Sequence, residues 1–403
     1  MPSGQQEVDL IFSDKVVHIS GALRVQHHYI TDSAALAVLC DSLSQSPVLA
    51  IDTEFVRTRT LYPKLGLLQI CNGEHIALVD PIEVDDLAPF WALLSNEKIV
   101  KVLHACSEDL EVFLHAGNCK PVNLLDSQLV MTFLGHGLSL GYAAMVKHYL
   151  DIELDKSESR TDWTKRPLSE KQKEYAKADV SHLFAIYPKL IADIEAQGWL
   201  SAAQQESQMM IERKFTAIDE QNLYRNIKMA WKLNPKQLNV LRHLAIWRYE
   251  RAKFKNQPLS FIAKDPTLML AAQFMPRNVG GLAHIEGVVE LDVRHQGKAI
   301  VGVIKKALED DVSTYPEKIR RLDEYPGYKQ IFKKVKHFVA DVAEENGLTV
   351  ESLASKKQIN QFLEFFFKLN GAEQQPQLVD ILQTWRANIL GDKLQSFAEN
   401  GFR

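Results

Sequence analysis

Residues 48–55 read VLAIDTEF, an apolar run that ends in two carboxylates. Its length and its β-branched residues favour a buried strand. Asp52 and Glu54 are two residues apart, so their side chains point to the same face of that strand. Neighbouring carboxylates repel each other and destabilise a fold unless a cation lies between them. The stretch therefore predicts an interior strand that carries a metal-binding pair.

Further strands are predicted at residues 28–30, 66–71, 75–80 and 98–104. Asn72-Gly73, between the second and third of these, is a hairpin signal. Thr31 or Asp32 is expected to cap a helix after the first strand, and Ser107 is expected to cap a helix after the last. Antiparallel-looking strands followed by strand–helix alternation predict a mixed α/β sheet.

The remainder of the chain is predicted to be mainly helical. Residues 157–168 are polar and break the periodicity, which indicates a loop, and Ser169 with Gln172 then forms a capping box. Strand signals nearly vanish after residue 211. We expect four regions: an N-terminal lead-in of weak structure and no assigned role, an α/β domain, a basic helical domain and a second helical domain. Their predicted boundaries are 1–24, 25–210, 211–295 and 296–403.

Composition separates these regions by charge. The 403 residues carry a net charge of −4, but residues 1–210 hold 17 basic and 28 acidic residues, whereas residues 211–300 hold 15 and 8. A basic helical part suggests a bound polyanion, and an acidic part suits divalent metal. The four cysteines lack CxxC spacing, which favours reduced thiols in the cytoplasm. Neither a secretory signal nor a membrane span is expected.

Further acidic residues lie on predicted helices. Tyr175 and Asp179 are four residues apart in one helix and share a face. Asp109 precedes Phe113 by four residues and borders the apolar face of the helix after Ser107. Carboxylates of this kind suit Mg²⁺ or Mn²⁺ rather than zinc. A site with two such ions can hydrolyse a phosphodiester without a dedicated histidine base.

Competing motifs are weaker. A zinc site could be drawn from His104, Cys106, His115 and Cys119, but no CxxC or HxxxH spacing supports it. The glycines at 135, 137 and 141 imitate a dinucleotide loop, yet they follow a helix instead of a strand. No phosphate-binding loop of the GxxxxGK[ST] type is present, which argues against an NTPase and a nucleotide cofactor.

Together the motifs resemble the ribonuclease D family of exonucleases, from about residue 25 to 290. The matching stretches are DTEF at 52–55, HACSEDL at 104–110, TDWTKRPL at 161–168 and YAKADV at 175–180. Residues 211–290 resemble the helical domain that helicases share with ribonuclease D. A diverged second copy is expected to follow.

The resemblance implies a ribonuclease H-like fold, two divalent ions and release of single 5′-monophosphates from RNA 3′ ends. Asp52, Glu54 and Asp179 would hold the ion on the side of the nucleophile. Asp52 would hold the other ion together with Asp109, which binds directly or through water, and Tyr175 would position the attacking water. Asp126 matches a further family acid and is given only a supporting role. Transfer RNA precursors are the implied substrate, and a monomer is expected.

Nucleic-acid contacts are predicted from charge and aromatic content. Residues 222–256 carry nine basic side chains and one acidic one, with aromatic residues between them, a pattern that suits a phosphate backbone. The expected contacts are Phe55, Trp163, Arg166, Lys228, Lys232, Lys236, Arg242, Arg248, Arg251 and Lys255. For Phe55, a plain core position is an equal alternative, and the basic residues could also simply solvate helices.

Three functions remain open at this point. The leading hypothesis is an exoribonuclease that trims RNA 3′ ends. A proofreading or repair exonuclease acting on DNA would use the same metal site, because 2′-hydroxyl recognition lies in loops that the motifs do not define. An RNA-binding scaffold with a vestigial site is the third, and the complete acidic set argues against it.

Overall fold

The computed structural model describes residues 9–12, 15–18, 25–155 and 157–403, the first two segments by their backbone alone. By their contacts the residues group into two compact units, 1–56 with 63–215 and 57–62 with 216–403. No helix in the described ranges is long and apolar enough to cross a membrane.

The N-terminal lead-in contains two short strands. β1 (Asp9–Phe12) and β2 (Lys15–His18) pair antiparallel. This pairing differs from the expected weak structure. The other residues of the lead-in lie outside the described ones.

A six-stranded sheet forms the centre of the first unit. Its strands are β3 (Gln26–Ile30), β4 (Val48–Val56), β5 (Lys64–Cys71), β6 (His75–Val79), β7 (Val100–Leu103) and β8 (Leu124–Asp126). They lie in the order β3-β6-β5-β4-β7-β8. β4, β5 and β6 pair antiparallel, whereas β3 with β6, β4 with β7 and β7 with β8 are parallel. The predicted mixed α/β sheet is confirmed.

Seven helices surround this sheet in the described part of the unit. They are α1 (Ser33–Leu43), α2 (Ala88–Leu94), α3 (Asp109–Gly117), α4 (Ser127–Phe133), α5 (Tyr142–Leu150), α6 (Glu170–Ala196) and α7 (Leu200–Phe215). Asp32 caps α1 by accepting a hydrogen bond from the Ala35 amide at 2.8 Å. The Ser169–Gln172 capping box at the start of α6 is confirmed.

The predicted Ser107 cap is wrong. α3 begins at Asp109, and its N-cap residue Glu108 makes no side-chain capping bond. A distant carboxylate binds the backbone of this turn instead: Asp126 accepts hydrogen bonds from the amides of Ala105 and Cys106, each at 2.9 Å. A local sequence signal does not reveal a partner some 20 residues away.

The apolar core of the first unit has a large part and a small part. The large part joins the sheet to α1, α2 and α3 through residues such as Ile51, Phe90 and Phe113. The small part contains Trp163, which is 1 % exposed, with Leu67 and the helical residue Ala176. This smaller cluster joins the 161–168 loop to the sheet and to α6, the helix that carries Tyr175 and Asp179.

The second unit is helical apart from the loop 57–62. Its α-helices are α8 (Pro235–Lys255), α9 (Leu259–Ile262), α10 (Asp265–Phe274), α11 (Val279–Ala283), α12 (Glu290–Ala307), α13 (Tyr328–Glu345), α14 (Val350–Leu353), α15 (Lys356–Phe366), α16 (Thr384–Arg386) and α17 (Asp392–Glu399). Short 3₁₀ turns occupy Glu220–Asn226, Ala230–Lys232, Val312–Thr314, Leu322–Glu324, Ala372–Gln374, Pro376–Leu378 and Asp380–Leu382, and a π turn occupies Ala387–Gly391. A core of buried residues such as Leu241, Leu268 and Ile300 joins α8, α10 and α12.

Candidate active site

Three carboxylates converge at one face of the sheet. β4 presents Asp52 and Glu54 on the same side because they are two residues apart on one strand. α6 crosses that side and contributes Asp179. One carboxylate oxygen from each residue lies within 4.8 Å of the others. The sequence-predicted strand pair and helix acid therefore meet in one cluster.

The electrostatics of the cluster are those of buried, mutually repelling acids. Burial, followed by the charge of Asp179, raises the pKa of Asp52 well above its usual range. Burial and the charge of Asp52 raise the pKa of Glu54 to about 10. Burial raises the pKa of Asp179 to about 7, although a hydrogen bond from Tyr175 opposes the shift. Ionising all three acids at neutral pH is therefore costly without a compensating cation.

The donor chemistry fits a divalent metal ion. All three ligands are hard carboxylate oxygens, which Mg²⁺ and Mn²⁺ prefer. Within residues 25–155 and 157–403, no lysine or arginine pairs with these three acids. This set is also the one group of three or more potential ligands found among the described residues. The zinc alternative has no support among the described residues, because His104, Cys106, His115 and Cys119 do not form a group of three converging ligands there.

A cleft of about 160 Å³ opens beside two of these acids. Asp52, Tyr175 and Asp179 line it, together with His104 and Tyr142. The Tyr142 hydroxyl donates a hydrogen bond to the backbone carbonyl of Asp179, which fixes that turn of α6. The cleft therefore brings the predicted tyrosine next to the acids. Two further polar residues, His104 and Tyr142, line the cleft. His104 begins the 104–110 stretch but was considered only as a zinc ligand, and Tyr142 was not predicted, because the acid-and-tyrosine motifs do not include it.

Asp109 lies near this cluster but outside the group of three. It is 7 % exposed, and its carboxylate accepts a hydrogen bond from the Thr53 hydroxyl. Burial, followed by the charge of Asp52, raises its pKa well above the usual range. The charge of Asp52 thus links Asp109 electrostatically to the cluster. Thr53 was not predicted, although its place between Asp52 and Glu54 is the signal that could have found it.

Asp126 has a more definite place than the sequence suggested. It is 2 % exposed at the end of β8, and it accepts hydrogen bonds from the amides of Ala105, Cys106 and Gln128 at 2.9, 2.9 and 2.8 Å. Ala105 has a φ of 55°, a left-handed conformation that non-glycine residues rarely adopt. Asp126 thus holds the turn that leads into α3 and Asp109.

The 161–168 loop is a structural element, which corrects two predicted nucleic-acid contacts. Trp163 is buried in the small core, 6.1 Å between ring centroids from Tyr175. A Cβ atom on Gly66 would lie 2.7 Å from the Trp163 carbonyl oxygen, so the close approach of this loop to β5 requires glycine. Trp163 supports Tyr175 from behind and presents no surface to RNA.

Arg166 also serves the fold. Its guanidinium pairs with both oxygens of Asp80 and donates to the carbonyls of Gly66 at 2.7 Å, Trp163 at 2.9 Å and Lys165 at 2.8 Å. These bonds use all five N–H donors of the side chain. The expected RNA contact is therefore wrong for Arg166 in this conformation, because no donor is left for a phosphate.

The remaining predicted contacts differ in exposure. Phe55 is half-buried and packs against the large core. In the second unit the lysines are exposed and available: Lys228, Lys232, Lys236 and Lys255. Arg242 and Arg251 are half-buried.

Arg248 is 7 % exposed, and its Nη1 donates to Asp265 at 2.7 Å and to the Ala263 carbonyl at 3.0 Å. Since this guanidinium is buried, an open contact with an RNA backbone is not supported.

Comparison with protein families assigns three parts of the chain. Residues 27–195 match the family described as 3′-5′ exonuclease. Residues 237–304 match the HRDC domain, and residues 326–394 match the C-terminal HRDC domain of ribonuclease D. The exonuclease match contains all of the clustered acids and Tyr175.

Individual relatives agree over nearly the whole chain. Ribonuclease D of Cronobacter turicensis is 41% identical over 374 residues, which cover 92% of this chain and 100% of the relative. Ribonuclease D of Escherichia coli is 40% identical over 375 residues, covering 93% and 99%. The crystal structure of the Escherichia coli enzyme superposes with a TM-score of 0.89 at 39% identity, over 94% of this chain and 99% of that one. The chain therefore belongs to the ribonuclease D family of 3′→5′ exoribonucleases, whose hydrolysis of RNA depends on metal.

Proposed function

We propose that this exoribonuclease removes nucleotides one at a time from RNA 3′ ends at the Asp52–Glu54–Asp179 cluster and releases 5′-monophosphates. The observation that carries the proposal is the convergence of three carboxylate oxygens, from buried Asp179 and half-buried Asp52 and Glu54, within 4.8 Å beside the cleft lined by Tyr175. Such a cluster suits a reaction in which negative charge builds up on a phosphate.

The acidic residues would hold two divalent ions, Mg²⁺ or Mn²⁺. Asp52, Glu54 and Asp179 would hold one, and Asp52 with Asp109 the other. When bound, such ions neutralise phosphate charge and lower the pKa of a coordinated water. Thr53 orients Asp109 through its hydroxyl, and Asp126 orients the turn before α3. The chain thereby fixes its ligands before any substrate arrives.

Tyr175 would orient the attacking water rather than remove its proton. Burial, followed by the charge of Asp179, raises the pKa of its hydroxyl above the usual value of 10. The hydroxyl is therefore protonated at neutral pH and can both donate and accept a hydrogen bond. The Trp163 ring supports it on the protein side. A fixed, neutral hydroxyl next to the acids suits a positioning role.

The second unit would hold the RNA. Four of its exposed lysines, Lys228, Lys232, Lys236 and Lys255, suit electrostatic contact with a phosphate backbone. Half-buried Arg242 and Arg251 would add to the positive potential of this surface. We assign RNA binding to the region 211–295 and a structural role to the nearly neutral region 296–403.

Transfer RNA precursors are our proposed substrate. The Escherichia coli relative is an exoribonuclease involved in structured RNA processing, which supports a structured RNA with a free 3′ end. We expect a monomer that works in the cytoplasm without a nucleotide cofactor. The four cysteines are free and buried, which fits a reducing compartment.

A gel assay with two 5′-labelled oligomers of one sequence, RNA and DNA, tests this proposal. Each is incubated with Mg²⁺, Mn²⁺ or EDTA and sampled over time. We expect a metal-dependent ladder that shortens the RNA by one nucleotide per step, with slower loss of DNA. Equal digestion of both oligomers would refute selectivity for RNA, and internal cuts would refute the exonuclease mechanism.

A further inference from the structure

The second unit contains a pocket of about 740 Å³ that the proposed chemistry does not use. All its lining residues belong to this unit, including three from the loop 57–62. The volume lies within the range of about 300–1,000 Å³ that is typical of ligand sites. We refer to it as the Arg248 pocket, after the buried guanidinium in its wall.

Cationic groups dominate the charge of the Arg248 pocket. Arg57, Arg248 and Lys264 line it, against one acid, Asp265. Asp265 is already engaged by Arg248 at 2.7 Å. The pocket therefore attracts an anion, and its two exposed cations, Arg57 and Lys264, are on its open side.

Arg248 supplies an observation independent of the charge count. The residue is 7 % exposed, and the described residues offer no hydrogen-bond partner to its Nε atom, although its Nη1 atom is doubly engaged. A buried guanidinium donor without a partner destabilises the fold, because its lost hydration is not replaced. Such a group is usual where a wall is completed by a ligand or by water.

The remaining wall suits an unpaired base. Most of the lining surface is apolar, and Tyr249 presents part of a half-buried aromatic ring. Ser260 adds an exposed hydroxyl at the edge. An apolar and aromatic wall with cations on its open side is the combination that binds single-stranded nucleic acid, because bases stack while phosphates pair with the cations.

Chain connectivity favours RNA over a free metabolite. Arg57 is the third residue after Glu54, so three peptide units, which span at most about 10 Å, separate their Cα atoms. A polynucleotide whose 3′ end is held by the acidic cluster extends over several such lengths. The chain thus runs directly from the acidic strand β4 into the loop that supplies part of the pocket wall, which favours a polymeric substrate over a free metabolite.

We propose that the Arg248 pocket binds an unpaired RNA segment on the 5′ side of the nucleotide that is removed. The inference rests on the proposed function, since it assigns the pocket to the same substrate. A base lies against the Tyr249 wall, and the backbone phosphates pair with Arg57 and Lys264. The pocket thus increases the affinity for RNAs with longer single-stranded 3′ tails. It does not increase the affinity for the shortest products, which do not extend into it.

Two variants of the full chain test the pocket. Lys264→Glu reverses the charge of one side chain that lines the pocket, and Ser260→Glu adds a negative charge that repels phosphate. Lys298→Glu and Ser313→Glu are the matched controls, because both residues are exposed in the same unit and neither lines the pocket. Affinity is measured by fluorescence anisotropy with a 5′-fluorescein 12-mer of uridylate in EDTA, so that no cleavage occurs.

We expect both pocket variants to raise the Kd for the 12-mer about tenfold, while the controls stay within about twofold. Lys264→Glu should also reduce the salt dependence of log Kd by roughly 0.7 or more, the value for one lost phosphate contact on a single strand. In Mg²⁺, KM for a trimer should be the same for the variants and the parent chain.

Unchanged 12-mer affinity in both pocket variants would overturn the inference. So would binding of free uridine 5′-monophosphate that is lost in Lys264→Glu while 12-mer affinity is kept, because the pocket would then serve a mononucleotide. Failure of the proposed function would look different. The parent chain would bind the 12-mer, and the pocket variants would bind it more weakly than the controls, but the parent chain would not shorten it when metal is added.

Discussion

The Thr53 hydroxyl donates a hydrogen bond to the buried carboxylate of Asp109, so a side chain on β4 orients an acid on α3. Thr53 lies between Asp52 and Glu54 in the strand. One strand therefore supplies two acids of the cluster and the group that positions a fourth. This arrangement links the two proposed metal positions through a single stretch of backbone.

Thr53→Val should weaken the metal site that depends on Asp109. Valine keeps the shape but removes the donor, which costs about 1–3 kcal/mol for a buried acceptor. We expect kcat to fall at low Mg²⁺ and to recover in part when Mg²⁺ is raised. Thr53→Ser keeps the hydroxyl and should behave like the parent chain. Identical Mg²⁺ dependence of all three proteins would show that the bond has no role in ligand orientation.

Asp126→Asn should disturb the turn before α3. Asparagine keeps one acceptor oxygen, which can serve Ala105 and Gln128, but its amide nitrogen cannot accept the bond that Cys106 donates to the other oxygen of Asp126. We therefore expect a loss of about 1–3 kcal/mol of stability and a lower kcat. Urea unfolding and single-turnover cleavage measure the two effects. Ser207→Ala removes the hydroxyl that accepts from the Asp126 amide at 3.1 Å and is the control, with stability lost but kcat retained. Equal kcat for Asp126→Asn and the parent chain would contradict the positioning role.

Arg166→Met should destabilise the protein and reverse the pH dependence of the stability that Asp80 contributes. Burial alone would raise the pKa of Asp80, but hydrogen bonds from Arg166 and Tyr29 outweigh it and hold the pKa below 3.8. The pair therefore stabilises the native state above the unfolded pKa, and this contribution is lost as pH falls through the lower folded value. Removing one partner of a buried pair costs about 3–5 kcal/mol.

In Arg166→Met, Asp80 is buried without its cation, so we expect its pKa to rise and its contribution to stability to improve as pH falls from 7 to 5. Urea unfolding at several pH values measures this against Lys165→Met, a neighbouring exposed position. Parallel pH profiles for Arg166→Met and the control would show that the ion pair does not control the ionisation of Asp80.

Glu54→Gln should stabilise the metal-free protein. Burial and the charge of Asp52 raise the pKa of Glu54 from 4.5 to about 10, so the folded state binds more protons than the unfolded state between these values. Stability contributed by this residue consequently falls as pH rises through that window. We expect a higher Tm for Glu54→Gln than for the parent chain in EDTA at pH 8, and a smaller rise in Tm on adding Mn²⁺. Exposed Glu97→Gln is the control, and a lower Tm for Glu54→Gln in EDTA would refute the repulsion.

Local patterns predicted the sheet and the acids well. Residues 48–55 form most of β4, and Asn72-Gly73 separates β5 from β6. The spacing of Tyr175 and Asp179 puts both on the face of α6 that lines the cleft. These features depend on neighbours within a few residues, which strand and helix periodicity encode directly.

Long-range contacts were beyond the sequence. Trp163 and Arg166, in the 161–168 stretch that resembles the family, were expected to contact RNA, but Trp163 is buried and Arg166 meets Asp80 across 86 positions of the chain. Ser107 does not cap α3, and the turn before this helix is held instead by Asp126 at the end of a different strand. The type of a residue indicates what its side chain is able to bind, whereas the fold determines which partner it binds within the protein.

Cleavage and binding by Asp52→Asn provide the most direct test of the claim that the carboxylate cluster is the catalytic centre. Single-turnover shortening of a 5′-labelled RNA is measured in Mg²⁺, and affinity for the same RNA is measured in EDTA, with exposed Asp85→Asn as control. We predict a rate about 10³-fold lower with RNA affinity within about threefold of the parent chain, because metal-assisted hydrolysis supplies several kcal/mol. A rate equal to that of Asp85→Asn would contradict the assignment and would mean that hydrolysis takes place at another site.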